Sequence, residues 1–176
     1  MTGRTVGGVT WTLTYNAENR LHTMANADVS TVATFIYDAD GNKVAQINNG
    51  VPTYYFMGGS YEVTGESIKK YYALGGGMVA MRDASGLKYL LTDHLGSVVA
   101  VTNESGELVE QQRYLPFGGV RPDIGSITQT DFSYTGQRSL SALGLYDYRA
   151  RLYDGSIGRF ISPDAIMPGV GLSHLN

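Results

Sequence analysis

Apolar and polar residues alternate along this chain in short runs, each closed by a cluster of Gly, Asp, Asn or Ser. The runs are WTLTY (11–15), TVATFIY (31–37), VPTYYFM (51–57), KKYYAL (69–74), KYLLT (88–92), SVVAVT (97–102) and ELVEQQRY (107–114). β-Branched and aromatic residues dominate them, as a pleated, half-buried surface requires. No window of about a dozen residues carries an apolar stripe at helical period. The pattern therefore predicts an all-β chain with almost no helix. Two further runs, DFSYTG (131–136) and LYDYRARLYD (145–154), complete the predicted strands. Read as one strand, the second puts Tyr146, Tyr148, Ala150 and Leu152 on one face and Asp147, Arg149, Arg151 and Tyr153 on the other.

Between the runs a turn formula recurs: Asp or Asn followed three residues later by Gly, at Asp38–Gly41, Asp83–Gly86, Asp93–Gly96 and Asn103–Gly106. The Asx side chain caps the turn backbone, and glycine supplies the positive φ that a hairpin loop of three to five residues needs at its exit. Each formula is predicted to be the tip of a β-hairpin. A second regularity sits at the front, where YNAENRL starts at Tyr15 and YDADGNKV at Tyr37, a spacing of two strands and two turns. The tract GGG (75–77), the stretch FGGVRPDIGSITQT (117–130) and the tail after Pro163 read as loops, the middle one as an internal boundary.

Composition narrows the picture. The 176 residues suit about one domain, and 43% of them are apolar, enough for a core. Charged residues reach only 16%, while Gly (23) and Tyr (13) are plentiful, which favours strands and tight turns over helices. A net charge of −3 without a basic run argues against nucleic acid or an anionic membrane surface as partner. The lack of cysteine excludes disulfide scaffolds, thiolate metal sites and cysteine nucleophiles. No stretch approaches the roughly 20 apolar residues of a spanning helix. The start MTGRTVGGV lacks the basic and apolar regions of a signal peptide, so an exported protein would have its signal removed or carried by a larger parent chain.

Taken in order, several pieces resemble the YD-repeat proteins of the RHS family, and in particular the RHS-associated core that closes them. They are YNAENRL and YDADGNKV as YD repeats, then TDHLGSVVAVTNESGELVEQQRYLPFG (92–118), YTGQRS (134–139), GLYDYRARLYD (144–154) and GRFISPD (158–164). The resemblance implies a ribbon of stacked antiparallel β-hairpins that curves into a hollow shell. It also implies a division into YD-repeat hairpins over 1–86 and a partial core-like region over 87–176. In bacterial members and toxin-complex subunits the shell encloses a C-terminal toxin, and the core resembles an aspartyl autoprotease. In animal teneurins a similar shell serves cell adhesion.

The chain departs from that pattern. Family shells use far more repeats, so one copy is not expected to enclose a cargo. Gly155 stands where the family usually has proline, as does Ala165. By likeness Arg159 and Asp164 match the upstream half of the autoprotease site, whereas the sequence ends at LSHLN, before a partner aspartate. Met1 sits where the family often has an internal methionine before a threonine, so an internal start or a fragment is an open reading. An aspartyl protease needs two carboxylates sharing a proton. Asp164 is the last acidic residue, and capping the turn after Pro163 is the commoner use of such a side chain.

Other candidate chemistry has a plainer reading. Asp93, His94 and Ser97 suggest a hydrolase triad, but neighbours on a strand point to opposite faces and no G-x-S-x-G elbow is present. DADGN (38–42) lacks the glycine position and the bidentate glutamate of a calcium loop. His22, His94 and His174 are too scattered in sequence to suggest zinc. Asn103-Glu104-Ser105 fits a glycosylation acceptor and also a hairpin tip. Arg149 and Arg151 could read a carboxylate or glycan, though cross-strand pairing is commoner. Tyr54, Tyr55, Tyr71 and Tyr72 could stack on sugar rings or pack between repeats.

The expectation is thus a structural, non-enzymatic β-shell segment or self-assembling filament, tube or ring, secreted or at the cell surface. Its partners would be further copies joined through exposed β edges, or the rest of a larger YD shell, with glycan or cell-surface contact as an added role. Neither cofactor nor metal is expected. The alternative is the upstream half of an RHS aspartyl autoprotease core in a toxin-delivery shell.

Overall fold

The computed structural model describes residues 2–6, 8–26, 31–149 and 151–162. Its larger sheet is an antiparallel meander in which each strand pairs with its sequence neighbours. The order is β1 (Gly3–Val6), β2 (Val9–Tyr15), β3 (Leu21–Asn26), β4 (Thr31–Tyr37), β5 (Lys43–Asn48) and β6 (Val51–Phe56), then β7 (Tyr61–Thr64), β8 (Ser67–Leu74), β9 (Gly77–Asp83), β10 (Gly86–Thr92), β11 (Val98–Asn103) and β12 (Leu108–Gln111). A second antiparallel sheet holds β13 (Arg138–Leu140), β14 (Leu145–Asp147), β15 (Leu152–Asp154) and β16 (Arg159–Phe160). Among the described residues helix is limited to four single 3₁₀ turns. The all-β class and the stacked hairpins are as the residue pattern predicts.

One backbone device closes four of the hairpins of the large sheet. In tips 16–20, 38–42, 93–97 and 103–107 the first N–H donates to the fifth carbonyl at 2.9–3.0 Å, and the fourth N–H donates back to the first carbonyl at 3.0 Å. The side chain adds its own cap: Asn103 Oδ1 accepts from Ser105 N at 3.0 Å and Glu107 N at 2.9 Å, and Asp93 Oδ1 accepts from Leu95 N and Ser97 N, both at 2.9 Å. In the first tip Asn19 stands at the glycine position with φ 59°, which its short amide side chain tolerates better than most residues. Segments 115–119 and 133–137 have the same pair of backbone bonds, with Leu115 and Ser133 in the Asx position. Asp83–Gly86 is the tip of the β9–β10 hairpin, as predicted, but with a shorter loop: the two residues are register partners, so the loop is only Ala84–Ser85 and the large sheet crosses residue 86 without interruption.

Two predicted strands are otherwise. DFSYTG is no strand, because Ser133–Gln137 closes the tip just described and only Phe132 makes a bridge, to Arg138. LYDYRARLYD is a hairpin of β14 and β15, pairing Tyr146 with Tyr153 and Asp147 with Leu152. Asp147 Oδ1 accepts from Arg149 N at 2.9 Å, and Arg149 takes φ 66°, a turn conformation with no glycine to announce it. The two-face reading of one continuous strand is therefore replaced by an aromatic cross-strand pair.

The inner face of the large sheet carries two cores. Trp11, Leu13, Leu21, Met24, Ala33 and Phe35 of β2–β4 pack against Leu140, Leu143, Leu145 and Leu152, which seats the small sheet over the front hairpins. Further along, Tyr71, Met81, Leu90, Val98 and Val101 enclose Phe132 from the connecting segment. Each core rests on burial of side chains worth about 1.5–3 kcal/mol apiece. Segment 112–137 crosses between the sheets, and a groove of about 850 Å³ with mixed apolar and polar walls lies between the two cores.

Candidate functional site

Segment 115–119, Leu-Pro-Phe-Gly-Gly, is a tight tip in which three successive carbonyls point outward to three tyrosines. Tyr134 OH donates to Pro116 O at 3.0 Å, Tyr153 OH to Phe117 O at 3.2 Å, and Tyr146 OH to Gly118 O at 2.5 Å. The tyrosines come from tip 133–137 and from the β14–β15 pair, so both flanks of the small sheet grip the tip. Their rings form one cluster: Tyr134 lies 5.5 Å from Tyr114, 5.7 Å from Tyr146 and 6.3 Å from Tyr153 between centroids. Close approach requires glycine. A Cβ on Gly118 would stand 2.5 Å from the Tyr134 ring, and one on Gly155 would stand 2.9 Å from both Gly118 C and Phe117 O. Burial raises the phenol pKa of Tyr134, Tyr146 and Tyr153, so all three remain protonated donors at neutral pH.

A second joint centres on Arg138 of β13. Its Nη1 lies 2.5 Å from Glu62 Oε1 and 2.5 Å from Asp131 Oδ1, and its Nη2 donates to Gly59 O at 2.8 Å. The guanidinium sits over three rings, at 4.2 Å from the Phe132 centroid, 5.1 Å from Tyr55 and 5.6 Å from Tyr71. Planar, delocalised charge suits that stack. Burial pushes the Glu62 carboxyl above its ordinary value, Arg138 opposes that rise, and Asp131 adds to it. Two carboxylates thus share one buried cation, which pins β7 and the 57–60 turn to the connecting segment.

A third joint links the ends of the chain. Arg4 of β1 donates to Asp154 Oδ2 and, through Nε, to Leu143 O at 2.6 Å. Asp154 is only 2% exposed. Burial alone would raise its pKa, but hydrogen bonds from Arg4 and Ser156 outweigh it and hold the carboxyl below the usual range. Lys43 makes a parallel link to Asp147 at 3.3 Å. Among the described residues none of the three joints pairs a nucleophile with a base. What they do is fasten one sheet to the other.

The residues singled out from sequence are distributed differently. Arg159 lies exposed on β16, opposite Asp154 in register, while Asp164 falls outside the described residues, as does His174. Asp93 spends its carboxylate on its own tip, Ser97 Oγ accepts from Thr135 N at 3.1 Å, and His94 is exposed, so the three form no triad. Asp38 caps Asn42 N at 2.8 Å, and Asn103 Nδ2 donates to Glu107 at 2.7 Å. Arg151 stacks over Phe160 at 3.9 Å. Tyr55 and Tyr71 face the core with Arg138, whereas Tyr54 and Tyr72 face solvent. Sequence reasoning missed Arg4, Glu62, Tyr134 and Arg138. The glycines at 118 and 155 were the available signal for the tyrosine clasp.

Comparison with known proteins agrees with this architecture. The teneurin YD-shell family profile matches residues 60–169. Salivary gland surface protein 1 of Aedes aegypti is 43% identical over 77 residues, covering 43% of this chain and 2% of its own length. The tRNA3(Ser)-specific nuclease WapA of Bacillus spizizenii is 28% identical over 165 residues, 88% of this chain and 7% of the relative. Human teneurin-1 is 26% identical over 169 residues, 85% and 6%. In fold, the chain is similar to the crystal structure of TcdB2-TccC3-Cdc42, with TM-score 0.72 and 20% identity over 90% of this chain and 9% of the other. The chain therefore spans less than a tenth of the length of these relatives. On its profile match over more than half its length, this chain belongs to the teneurin YD-shell family.

Proposed function

We propose that this protein is a structural segment of a YD shell, extended by strand pairing at its N-terminal edge. The observation that carries this is an asymmetry between the two ends of the meander. At β12 the edge is flanked by segment 125–129: Glu110 accepts from Thr128 N at 2.7 Å and Gln129 N at 3.1 Å, and the Gly125 backbone comes close to Gln111 O. At the other end β1 pairs with β2 alone among the described residues. Leu13 N donates to Thr2 O at 2.9 Å, so Thr2 and Arg4 face β2, and the alternation of an antiparallel pair turns the N–H and C=O of Gly3 and Thr5 outward. An open edge of this kind templates another strand. The strand comes from a longer shell chain or from another copy, in a secreted or cell-surface setting. No helix among the described residues is long and apolar enough to cross a membrane. Within such a shell, residues 1–86 serve as repeat hairpins and 87–176 as the core-like closing region.

A second reading, a toxin-delivery shell in which Arg159 and Asp164 form the upstream half of an autoprotease, draws support from the likeness to the TcdB2-TccC3 fold and to WapA. The first reading is tested by multi-angle light scattering and negative-stain microscopy of the purified chain and of Thr5→Pro, which removes an outward N–H. Concentration-dependent association that the substitution abolishes is expected. A wild-type monomer stable across the dilution series would overturn it.

A further inference from the structure

Tip 16–20, between β2 and β3, meets the turn that joins β14 to β15 at a small cleft apart from the three joints. Three arginines line it from distant parts of the chain: Arg20 of the tip, and Arg149 and Arg151 of the turn. Leu21, Leu152 and Ile161 make up its apolar lining. Tyr15 also lines the cleft, and its hydroxyl is buried with no hydrogen-bond partner among the described residues. Tyr37 differs, since its hydroxyl donates to Leu21 O at 2.8 Å. A buried hydroxyl left unpaired is costly, so Tyr15 offers a donor in want of an acceptor. Charge points the same way. Asp147 is the one carboxylate in the lining, and it is engaged by Lys43 at 3.3 Å and by Arg149 N at 2.9 Å. Arg20 reaches Glu18 at 3.1 Å, a side chain 61% exposed, and Arg151 stacks on Phe160. The Arg149 guanidinium has no partner among the described residues. Three arginines and Lys43 thus face two carboxylates, in a chain whose net charge is −3. The cleft measures about 10 Å³, room for one water-sized particle and too small for a tetrahedral oxyanion or a carboxylate.

We propose that this cleft binds a single halide ion, chloride in ordinary saline, with the Tyr15 hydroxyl and the guanidinium groups of Arg20 and Arg149 as donors. Size and charge select that ligand. A halide is one sphere with one negative charge, and it accepts hydrogen bonds from any direction. Water would satisfy the hydroxyl but leave the excess of positive charge unanswered, whereas an anion does both. Fluoride holds its hydration shell too firmly to enter a cleft that is partly apolar. Bound there, chloride ties tip 16–20 to the β14–β15 turn beside the Lys43–Asp147 link, and so helps to seat the small sheet on the front hairpins. Salt weakens an ordinary exposed ion pair, but this contact is strengthened by halide. The proposal is independent of the β1 edge and so of the shell reading.

Thermal unfolding of the full chain tests it, with sodium fluoride replaced stepwise by sodium chloride or sodium bromide at fixed ionic strength. The melting temperature is expected to rise by about 3 °C as chloride or bromide replaces fluoride, and to level off as the site fills. Arg149→Gln and Tyr15→Phe should each lose that rise. Neither change breaks a hydrogen bond among the described residues, because the Arg149 side chain is exposed and the Tyr15 hydroxyl is unpaired. Cooperative unfolding of both variants in fluoride confirms that they fold. Crystals soaked in bromide should show an anomalous peak within hydrogen-bond reach of Tyr15 Oη. Equal melting temperatures in the three salts, a rise that both variants keep, or a cleft that holds only water in the bromide crystals would each overturn the proposal. A bromide peak without halide-dependent melting would mark an adventitious ion only, and would overturn it as well.

Discussion

Tyr146 donates its hydroxyl to the Gly118 carbonyl at 2.5 Å, from a ring only 5% exposed, and so ties β14 to the tip through which the chain leaves the large sheet. Removing the hydroxyl leaves a buried carbonyl short of its partner. Tyr146→Phe should cost about 1–3 kcal/mol. Tyr153→Phe, whose bond is longer and more exposed, should cost about 1 kcal/mol or less. Urea unfolding of the two single variants and the double variant measures this, and the double-mutant cycle reports whether the clasp acts as a unit.

Arg138 and Glu62 make opposite predictions although they touch. Removing the guanidinium with Arg138→Leu strands two carboxylates and should cost about 3–5 kcal/mol. Glu62 is different because burial raises its folded pKa above the ordinary value of 4.5. Above that value the unfolded chain has released a proton that the folded protein still holds, so the stability this group contributes is present below 4.5 and is lost as pH rises through the folded value. Glu62→Gln, neutral throughout, should gain on the wild type as pH rises from about 4.5 to 7. Urea unfolding at both pH values checks the sign, and a variant that falls behind as pH rises would contradict it.

Asp154 runs the other way. Its pKa is held below the ordinary 3.8 despite burial, so its contribution is present above 3.8 and is lost as pH falls through the lower folded value. Acid should therefore release Arg4 and loosen β1 from the small sheet. Asp154→Asn should cost about 3–5 kcal/mol at neutral pH and should flatten the decline of thermal stability below pH 3.8. Differential scanning calorimetry across the acid range provides the comparison.

What could be read from the sequence follows the range of the interactions. The tips at Asp38, Asp93 and Asn103 were legible because an Asx cap and a positive φ are contained in five residues. The same backbone turn at Leu115 and Ser133 was not, since neither side chain carries the Asx oxygen. The β14–β15 turn was hidden by Arg149, which adopts φ 66° where a glycine would have marked the bend. The joints were the least legible: Arg4 and Asp154 are 150 residues apart, and Arg138 meets Glu62 only because a twelve-stranded meander brings β7 under the connecting segment. Hydrophobic alternation sets which face a residue occupies but not which distant partner lies across it.

Gly155 shows how a departure from the family pattern becomes a physical constraint. Its backbone passes so close to the clasped tip that a Cβ would lie 2.9 Å from Gly118 C, 2.9 Å from Phe117 O and 3.1 Å from Gly119 N, all main-chain atoms held by the three tyrosines. Space, not backbone conformation, is what the glycine supplies, because its φ is not among the left-handed ones. Restoring proline should therefore not stabilise this chain as it would in an unhindered turn. Gly155→Ala should cost about 1–3 kcal/mol through overpacking, and Gly155→Pro at least as much. Gly118→Ala adds a left-handed φ of 90° to a clash with the Tyr134 ring and should cost more than Gly155→Ala. Thermal unfolding ranks the three. If Gly155→Pro raised the melting temperature, the tip would have to yield, and the grip of Tyr146 on Gly118 could not be the rigid fastening that holds the two sheets together.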